Sequence, residues 1–596
     1  MGLAASLVAT QVASALTVTR GPYLQQQTSS SIIVRWRTDT TVDSSVTYGS
    51  APGMLTSSVN DPTPTTEHIV TVTGLAPDTQ YYYSVGSGLG PLVGDDVDHY
   101  FRTAPVTGPP HPIRIWSIGD AGWYTGVNAT NGDVVRDAYK TFNGGTSTAD
   151  LFLLLGDNAY LLATDVDYQQ AVFNRHQEML RTTPVWSVFG NHERFSSLDL
   201  TQAGPYFDMF SFPTAGEAGG VASGTEAYYS FDYANVHFIV LDSEDFVPIS
   251  TSGPMLTWLQ ADLTATTADW VIALWHRPPY SKGLLHDSDA EVNEALMRIF
   301  VLPVLESFGV DLVLCGHSHS YERSYFLDGH YGVSTTFDAA THTKDPGDGD
   351  PAGDGPYHKA ALGSVPNAGA VYVVNGSGSE VRIPLGNHPA MLAQLAELGS
   401  LVIDIDRDTL TAKFLTSTGP VDDQFRIIKG TACPAAPATG CVGSTKAKAT
   451  IRTNALPNRN RWAWKTRGGT VSAPDLGTPT DQTDLAVCVY DANGAVVGGQ
   501  ILHGAPQWSS VTPSGLRYRD PSGARHGLQR IRVKFGAGAE GRIQVKAKGA
   551  LIGTPTTPVT GPLTAQLVNL DTGKCWQSVF TTFRSNVAGR VAAAIP

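Results

Sequence analysis

Two rhythms of apolar residues alternate along the chain. From Thr17 to about Pro105, short alternating or β-branched runs recur at Ser31 to Trp36, Ser44 to Tyr48, Glu67 to Val72, Tyr81 to Val85 and His99 to Phe101. Gly, Pro and Asp clusters separate them, a pattern that predicts a small antiparallel β-sandwich. A Pro-rich hinge, Pro105 to Pro112, follows, and strands then alternate with helical patterns, as in an α/β domain. Ile113 to Ile118, Leu151 to Leu155, Val185 to Phe189, Val271 to Trp275 and Leu312 to Cys315 are apolar runs suited to a sheet buried on both faces. Helices are predicted near Val127 to Thr141, Asp165 to Arg181, Pro254 to Thr264 and Ala290 to Phe308. A β-hairpin, Tyr228 to Tyr233 with Val236 to Asp242, interrupts that order, and residues 369–428 return to short strands that complete the domain. Beyond Thr431 the chain is again strand-like, with Arg530 to Phe535 and Arg542 to Lys548 forming a hairpin around Gly536 to Gly541.

Composition sharpens this division. The chain has 596 residues, 61 of them Gly and 37 Pro, with 42% hydrophobic and 16% charged residues. That is enough apolar material for several cores and excludes global disorder. The formal net charge of −14 argues against a nucleic-acid partner for the whole chain. Residues 431–596, however, hold 19 Lys and Arg against 7 Asp and Glu, a net of +12, which leaves −26 for residues 1–430. This cationic segment is expected to be a β-rich domain of its own, with an anionic envelope polymer as its candidate partner. It also holds Cys433, Cys441, Cys488 and Cys575, while Cys315 stands alone as a buried core thiol. Four cysteines in one segment predict two disulfides and an oxidising compartment, with three connectivities open.

No stretch is apolar and long enough to predict a transmembrane helix. Leu3 to Leu16 has the character of a signal-peptide core, with Ala13-Ser14-Ala15 as a cleavage site, although a positive segment before it is missing. A secreted, periplasmic or extracellular location is therefore expected. The predicted organisation is a signal-peptide remnant at 1–16, a β-sandwich at 17–105, a central domain at 112–428 and the basic β-rich domain at 431–596.

Chemistry gathers in the central domain. Each of its five apolar strands is followed at once by polar residues: Asp120, then Asp157 and Tyr160, then Asn191 and His192, then His276, then His317 and His319. In open α/β sheets the functional crevice lies outside the carboxyl ends of the strands, so these side chains are expected to converge. Gly119, Gly156, Gly190 and Gly316 are read as the residues that let each strand end turn sharply. The donor set of two carboxylates, a phenol, an amide and three imidazoles is too rich for one ion. It suits two hard-to-borderline cations about 3.5–4 Å apart sharing one carboxylate.

The strings GDAG at Gly119, GDNAY at Gly156, GNHE at Gly190, the lone His276 and GHSH at Gly316 resemble the calcineurin-like metallophosphoesterases. Tyr160 and the run GHSHSYER narrow the resemblance to the purple acid phosphatase family, over residues 17 to about 428. Gly74 to Tyr81 likewise resembles the tyrosine corner of a fibronectin type III-like domain. The resemblance implies a central metallophosphoesterase sandwich in which Asp120, Tyr160 and His319 hold Fe(III), while Asn191, His276 and His317 hold a divalent Zn, Mn or Fe(II). Asp157 bridges them. It implies an acid phosphatase that hydrolyses monoesters, small or protein-borne, with a metal-bound hydroxide. The alternatives are a phosphodiesterase or nucleotide pyrophosphatase on the same scaffold and a non-catalytic adhesion protein.

By the same resemblance His192 contacts phosphate and protonates the leaving group. His286 matches one member of a histidine pair found in plant relatives, but the other position is Leu285, a departure that weakens its assignment as a catalytic acid. Glu193, Glu322 and Arg323 are read as supporting partners.

Overall fold

The computed structural model describes residues 16–246, 249–250, 253–353, 355–359, 362–384, 386–429, 433, 436–454, 456–480, 483, 485–501, 507–511, 514–521, 523, 527–537, 540–549, 552, 557–570 and 572–596. The expected signal-peptide core and cleavage site lie outside the described residues. Two compact units emerge: the described residues up to Pro346 together with Gly363–Gln424, and Gly347–Leu362 together with Phe425–Pro596. Among the described residues, no helix is long and apolar enough to cross a membrane.

In the first unit, the N-terminal strands Val18–Gln25, Ser31–Gly49, Ser57–Thr73, Gln80–Ser87, Gly90–Gly94 and Tyr100–Arg102 all pair antiparallel. The pairs read as separate runs, Ser31 to Trp36 with Ser44 to Tyr48, are two halves of one 19-residue strand. Its first half pairs with Val18–Gln25 and its second with Gln80–Ser87, across register shifts between Arg37 and Ser44. Trp36, Val46, Val70, Tyr83 and Phe101 meet in its core. The Tyr81 hydroxyl accepts a hydrogen bond from the Ala76 N–H at 3.0 Å, which pins the Gly74 to Tyr81 turn.

This β domain docks on the central domain through polar groups buried with partners. Tyr23 Oη donates to Met209 O at 2.8 Å, Tyr83 Oη to Arg181 O at 2.9 Å, and Arg20 pairs with Asp165 at 2.8 Å. Pairing these donors avoids the desolvation cost of leaving them unmet.

The central strands divide between two sheets. One carries Thr409–Thr416, Gly399–Asp406, Ile113–Ile118, Leu151–Leu154 and Val185–Ser187 in that order, the last three parallel. The other runs Tyr229–Tyr233, Val236–Val240, Trp270–Leu274, Leu312–Cys315, Val371–Asn375, Tyr321–Ser324 and Met391–Leu395. The five strands expected in one sheet are thus split three and two. The hairpin read as an interruption supplies Val236–Val240, which pairs in parallel with Trp270–Leu274. Helical segments Asn131–Phe142, Asp165–Leu180, Pro254–Ala265 and Val292–Ser307 cover the sheets.

The second unit contains a five-stranded and an eight-stranded sheet. Strict alternation sends Trp462, Trp464, Ile531, Val545, Leu567 and Trp576 into one core. The cysteines belong to a separate small cluster with Tyr490 and Val568, where Cys433–Cys488 and Cys441–Cys575 form disulfides. The two disulfides are those expected of the four clustered cysteines, and Cys315 is a free buried thiol.

Candidate metal centre

Five strand ends from the two sheets meet at one place. His276 Nδ1–H donates to the Leu155 carbonyl at 2.8 Å, and the His317 N–H donates to Asp120 Oδ2 at 2.8 Å. Ser379 Oγ donates to Asp120 O at 2.6 Å, and the Gly378 N–H to Gly119 O at 3.0 Å. Each of these bonds joins a strand end of one sheet to a loop of the other, so the fold itself closes the site.

The turns are made differently from the sequence expectation. Of the four glycines, Gly156 has a positive φ, of +87°, while Asp120, Asp157 and His317 themselves take φ of 54°, 52° and 71°. Three non-glycine residues in the left-handed region, all at strand ends, is backbone strain concentrated where chemistry is expected. The glycines answer a different need, close approach. A Cβ on Gly190 would lie 2.5 Å from the Asp157 nitrogen, and one on Gly316 would lie 2.6 Å from Asp120 Oδ2.

The seven donors expected to hold metal fall into two groups that share Asp157. In the first, Tyr160 Oη lies 3.0 Å from Asp120 Oδ1, 3.1 Å from Asp157 Oδ2 and 3.1 Å from His319 Nε2. In the second, His276 Nε2 lies 3.3 Å from Asp157 Oδ1 and 3.1 Å from Asn191 Oδ1. Asp120, Asp157 and His276 together offer ligand atoms within 4.8 Å of one another. His317 is buried nearby, its ring centroid 5.0 Å from that of His276, and its Nδ1 has no hydrogen-bond partner.

This donor set fits a pair of cations. An orphaned, buried imidazole nitrogen is costly unless something accepts its lone pair. Burial alone would push His276 down, yet Asp157 holds it up at about 10; burial is likewise outweighed at His319, raised to about 9 by Asp120 and Glu380. The site therefore draws positive charge to both ends. Burial and then the charges of Asp120 and Asp157 push the Tyr160 phenol well above its ordinary value, so a phenolate there requires a strong cation beside it.

Each candidate imidazole ligand is oriented through its other nitrogen, as metal-binding histidines are. Leu155 O holds His276. His319 Nδ1 lies 3.1 Å from Glu380 Oε2, and Glu380 also accepts from Trp123 Nε1 at 2.8 Å and pairs with Arg382. His317 Nε2 lies 3.1 Å from Glu291 Oε2. Glu193 is fully buried beneath the loops and accepts the N–H groups of Asp157, Asn158 and Gly190, each at 2.9 Å. It locks the strand ends as a supporting partner. Glu322 accepts from Ser281 Oγ at 2.6 Å, and Arg323 grips Asp423 through two nitrogens.

His192 stands at the open side of the site. Its N–H donates to Asp157 Oδ1 at 2.9 Å, its Nδ1–H to Leu161 O at 2.8 Å, and its Nε2 lies 3.8 Å from Asp157 Oδ2. His286 packs against His317 with centroids 3.7 Å apart and the rings tilted by 43°, and its Nδ1 lies 2.8 Å from Glu291 Oε1. Glu291, Arg277 and Glu380 escaped the sequence reading. Glu291 joins His286, His317 and Arg277, and Arg277 also pairs with the buried Glu244 at 2.9 Å. The one sequence signal for Arg277 is its place directly after His276.

Residues 113–321 match the calcineurin-like phosphoesterase family, and residues 21–103 match the purple acid phosphatase N-terminal domain. The chain is 31% identical over 283 residues to purple acid phosphatase 15 of Arabidopsis thaliana, covering 43% of this chain and 49% of that one. An uncharacterised protein of Mycobacterium tuberculosis is 29% identical over 351 residues, 53% of this chain and 64% of its own. The chain thus spans about half the length of the first of these relatives. A purple acid phosphatase from yellow lupin seeds shares the fold with a TM-score of 0.52 at 18% identity, over 69% of this chain and 75% of that structure. By these matches the chain carries a purple acid phosphatase N-terminal domain followed by a calcineurin-like phosphoesterase domain.

Proposed function

We propose that the chain hydrolyses phosphate monoesters with a bridged pair of metal ions, Fe(III) held by Asp120, Tyr160 and His319 and a divalent Zn, Mn or Fe(II) held by Asn191, His276 and His317. The observation that carries this reading is the position of Asp157, one oxygen 3.1 Å from Tyr160 Oη and the other 3.3 Å from His276 Nε2. A cation pair supplies Lewis acidity, which activates water and offsets charge on the phosphoryl oxygens. Asp157, Asp120 and Tyr160 supply the anionic charge that keeps two cations together. His192, with Nδ1 committed to Leu161 O, keeps Nε2 for a proton that the departing alkoxide takes. His286, held by Glu291, is placed to meet the phosphate from the His317 side. The N-terminal strands are read as a fibronectin type III-like domain, and the disulfides support a secreted or periplasmic protein.

The experiment is metal analysis of the purified protein with its visible spectrum, alongside turnover of p-nitrophenyl phosphate and its bis ester. Two metals per chain, a charge-transfer band that disappears in Tyr160→Phe, and faster turnover of the monoester are expected. Asp157→Asn should lose metal and activity together. A metal-loaded protein inert toward both esters would overturn the reading, and faster turnover of the bis ester would turn it to a phosphodiesterase.

A further inference from the structure

The outer face of the eight-stranded sheet in the second unit is a plane of cations. Lys446, Arg467, Arg542 and Lys534 stand opposite one another across four neighbouring strands. One pleat further, Lys448, Lys465, Arg532 and Arg517 line up in the same way, with Gln544 between the second and third. The next row holds Lys546, Arg530 and Arg519, and the last Arg590, Arg452, Arg461 and Lys548. Fifteen of the nineteen Lys and Arg residues of 431–596 occupy this one face, and no Asp or Glu does. Among the described residues, none of these side chains has an ion-pair partner, and nearly all are exposed.

Folding alone does not account for the arrangement, because like charges directly opposite on a sheet destabilise it. Rows repeat about every 6.8 Å along a strand, and strands lie about 4.8 Å apart, so every cation has several cationic neighbours within a Debye length. At one edge the plane dips into a cavity of about 380 Å³ lined by Val533 and by five residues that offer hydrogen-bond donors, Arg532, Lys534, Arg542, Gln544 and Ser514. Nine of the fifteen cations are arginines, whose planar fork matches phosphate oxygens two at a time.

We propose that this face binds a linear, non-aromatic polyanion of closely spaced phosphates, of the polyphosphate type. Among the described residues its uncharged positions include Thr450, Ala463, Gln544 and Gly515, with Ser509, Ser585, Val587, Ala592 and Ala594 on the flanking strands. With no aromatic ring among them, it offers no platform for the bases of a single strand. Its one exposed large apolar side chain among the described residues, Val587 beside Arg590, lies on the edge strand, and a single valine is no anchor for a bilayer. Built as the face of an eight-stranded sheet, it presents no helix or two-stranded ribbon to enter the groove of a duplex. What it offers is charge and donors at short, regular intervals. Because residues 1–430 carry a net −26, the attraction belongs to this face and not to the chain as a whole. This binding is separate from the metal centre and does not depend on its activity.

The test is binding of end-labelled long-chain polyphosphate to the full-length, metal-loaded protein, followed by anisotropy at two salt concentrations. With about six phosphates engaged, a slope near −0.7 per contact gives about a 300-fold loss of affinity between 50 and 200 mM salt. The triple variant Arg467→Gln, Arg532→Gln, Arg542→Gln should bind at least tenfold more weakly, with p-nitrophenyl phosphate turnover unchanged. Its melting temperature should equal or exceed that of the wild type, since like-charge pairs are removed. The matching Arg→Lys triple should keep most of the affinity. Retained binding in Asp157→Asn would support the face as the site. Loss in Asp157→Asn with retention in the Gln triple would overturn it, as would tighter binding of duplex DNA or phosphatidylglycerol vesicles, or no binding at 50 mM salt.

Discussion

His237 provides a pH test of the scaffold behind the metal centre. It is fully buried on the strand Val236–Val240, which pairs in parallel with the strand that leads to His276. Its Nδ1 lies 2.7 Å from Asp232 Oδ1 and its Nε2 lies 2.8 Å from Asp262 Oδ2. Asp262 also accepts from Ser230 Oγ at 2.9 Å and the Val221 N–H at 2.7 Å. Burial would lower the imidazole pKa, but the two carboxylates outweigh it and hold it at about 9. Against an unfolded value near 6.5, that shift contributes on the order of 3 kcal/mol. Because the folded value is the higher one, the contribution is fully present below about pH 6.5 and is lost as pH rises through about 9. His237→Gln removes the charge and should remove the pH dependence. In urea unfolding followed by tryptophan fluorescence, the wild type should exceed the variant most at pH 6, and the gap should shrink by roughly 3 kcal/mol by pH 10. A gap that stays constant or widens with pH would refute the doubly paired imidazolium.

Three further outcomes are expected. Glu291→Gln keeps the shape but removes the carboxylate that orients His286 and His317, so metal affinity, measured by chelator competition, should fall about 10- to 100-fold. His192→Ala should depress kcat strongly for alkyl phosphates and much less for p-nitrophenyl phosphate, whose leaving group scarcely needs a proton; equal losses would assign His192 to phosphate binding. Reduction opens disulfide loops of 55 and 134 residues, worth about 4 and 5 kcal/mol in a chain-entropy estimate. It should therefore lower the melting temperature of the second unit while leaving any turnover of p-nitrophenyl phosphate unchanged.

The strands of the central domain were legible because a strand covered on both faces is a short, continuous apolar run. Their allocation to two sheets was not. Ile113–Ile118 and Trp270–Leu274 have the same apolar character, and only pairing partners far away in sequence tell them apart. Val236–Val240 shows the same limit: its neighbour Tyr229–Tyr233 marks it as half of a hairpin, and nothing local marks its other edge as parallel to Trp270–Leu274. In the second unit, Lys446-Ala447-Lys448 and Lys546-Ala547-Lys548 echo each other too weakly to make a repeat. They are two strands of one sheet, with Ala447 and Ala547 inward and the lysines outward, so the alternation carried the meaning.

At the candidate metal centre the expected donors were legible because they cluster just after apolar strands, and Asp120, Asp157, Asn191 and His317 each follow a glycine directly. The carboxylates behind them were not. Glu291 and Glu380 stand outside those strand-end strings, and each gains its role from a side chain that the fold brings to it. The glycines mislead in an instructive way. Gly119, Gly190 and Gly316 suggest flexible turns, yet the left-handed conformations fall mostly on Asp120, Asp157 and His317, the residues whose side chains must face inward. A glycine precedes Asp120, Asp157, Asn191 and His317 because the neighbouring chain passes too close for a Cβ. Strain taken up by three of these residues, with the space beside them kept empty by glycine, lets two sheets bring six candidate donors around one carboxylate, Asp157. A sequence shows both halves of that arrangement side by side but not which residue carries the strain.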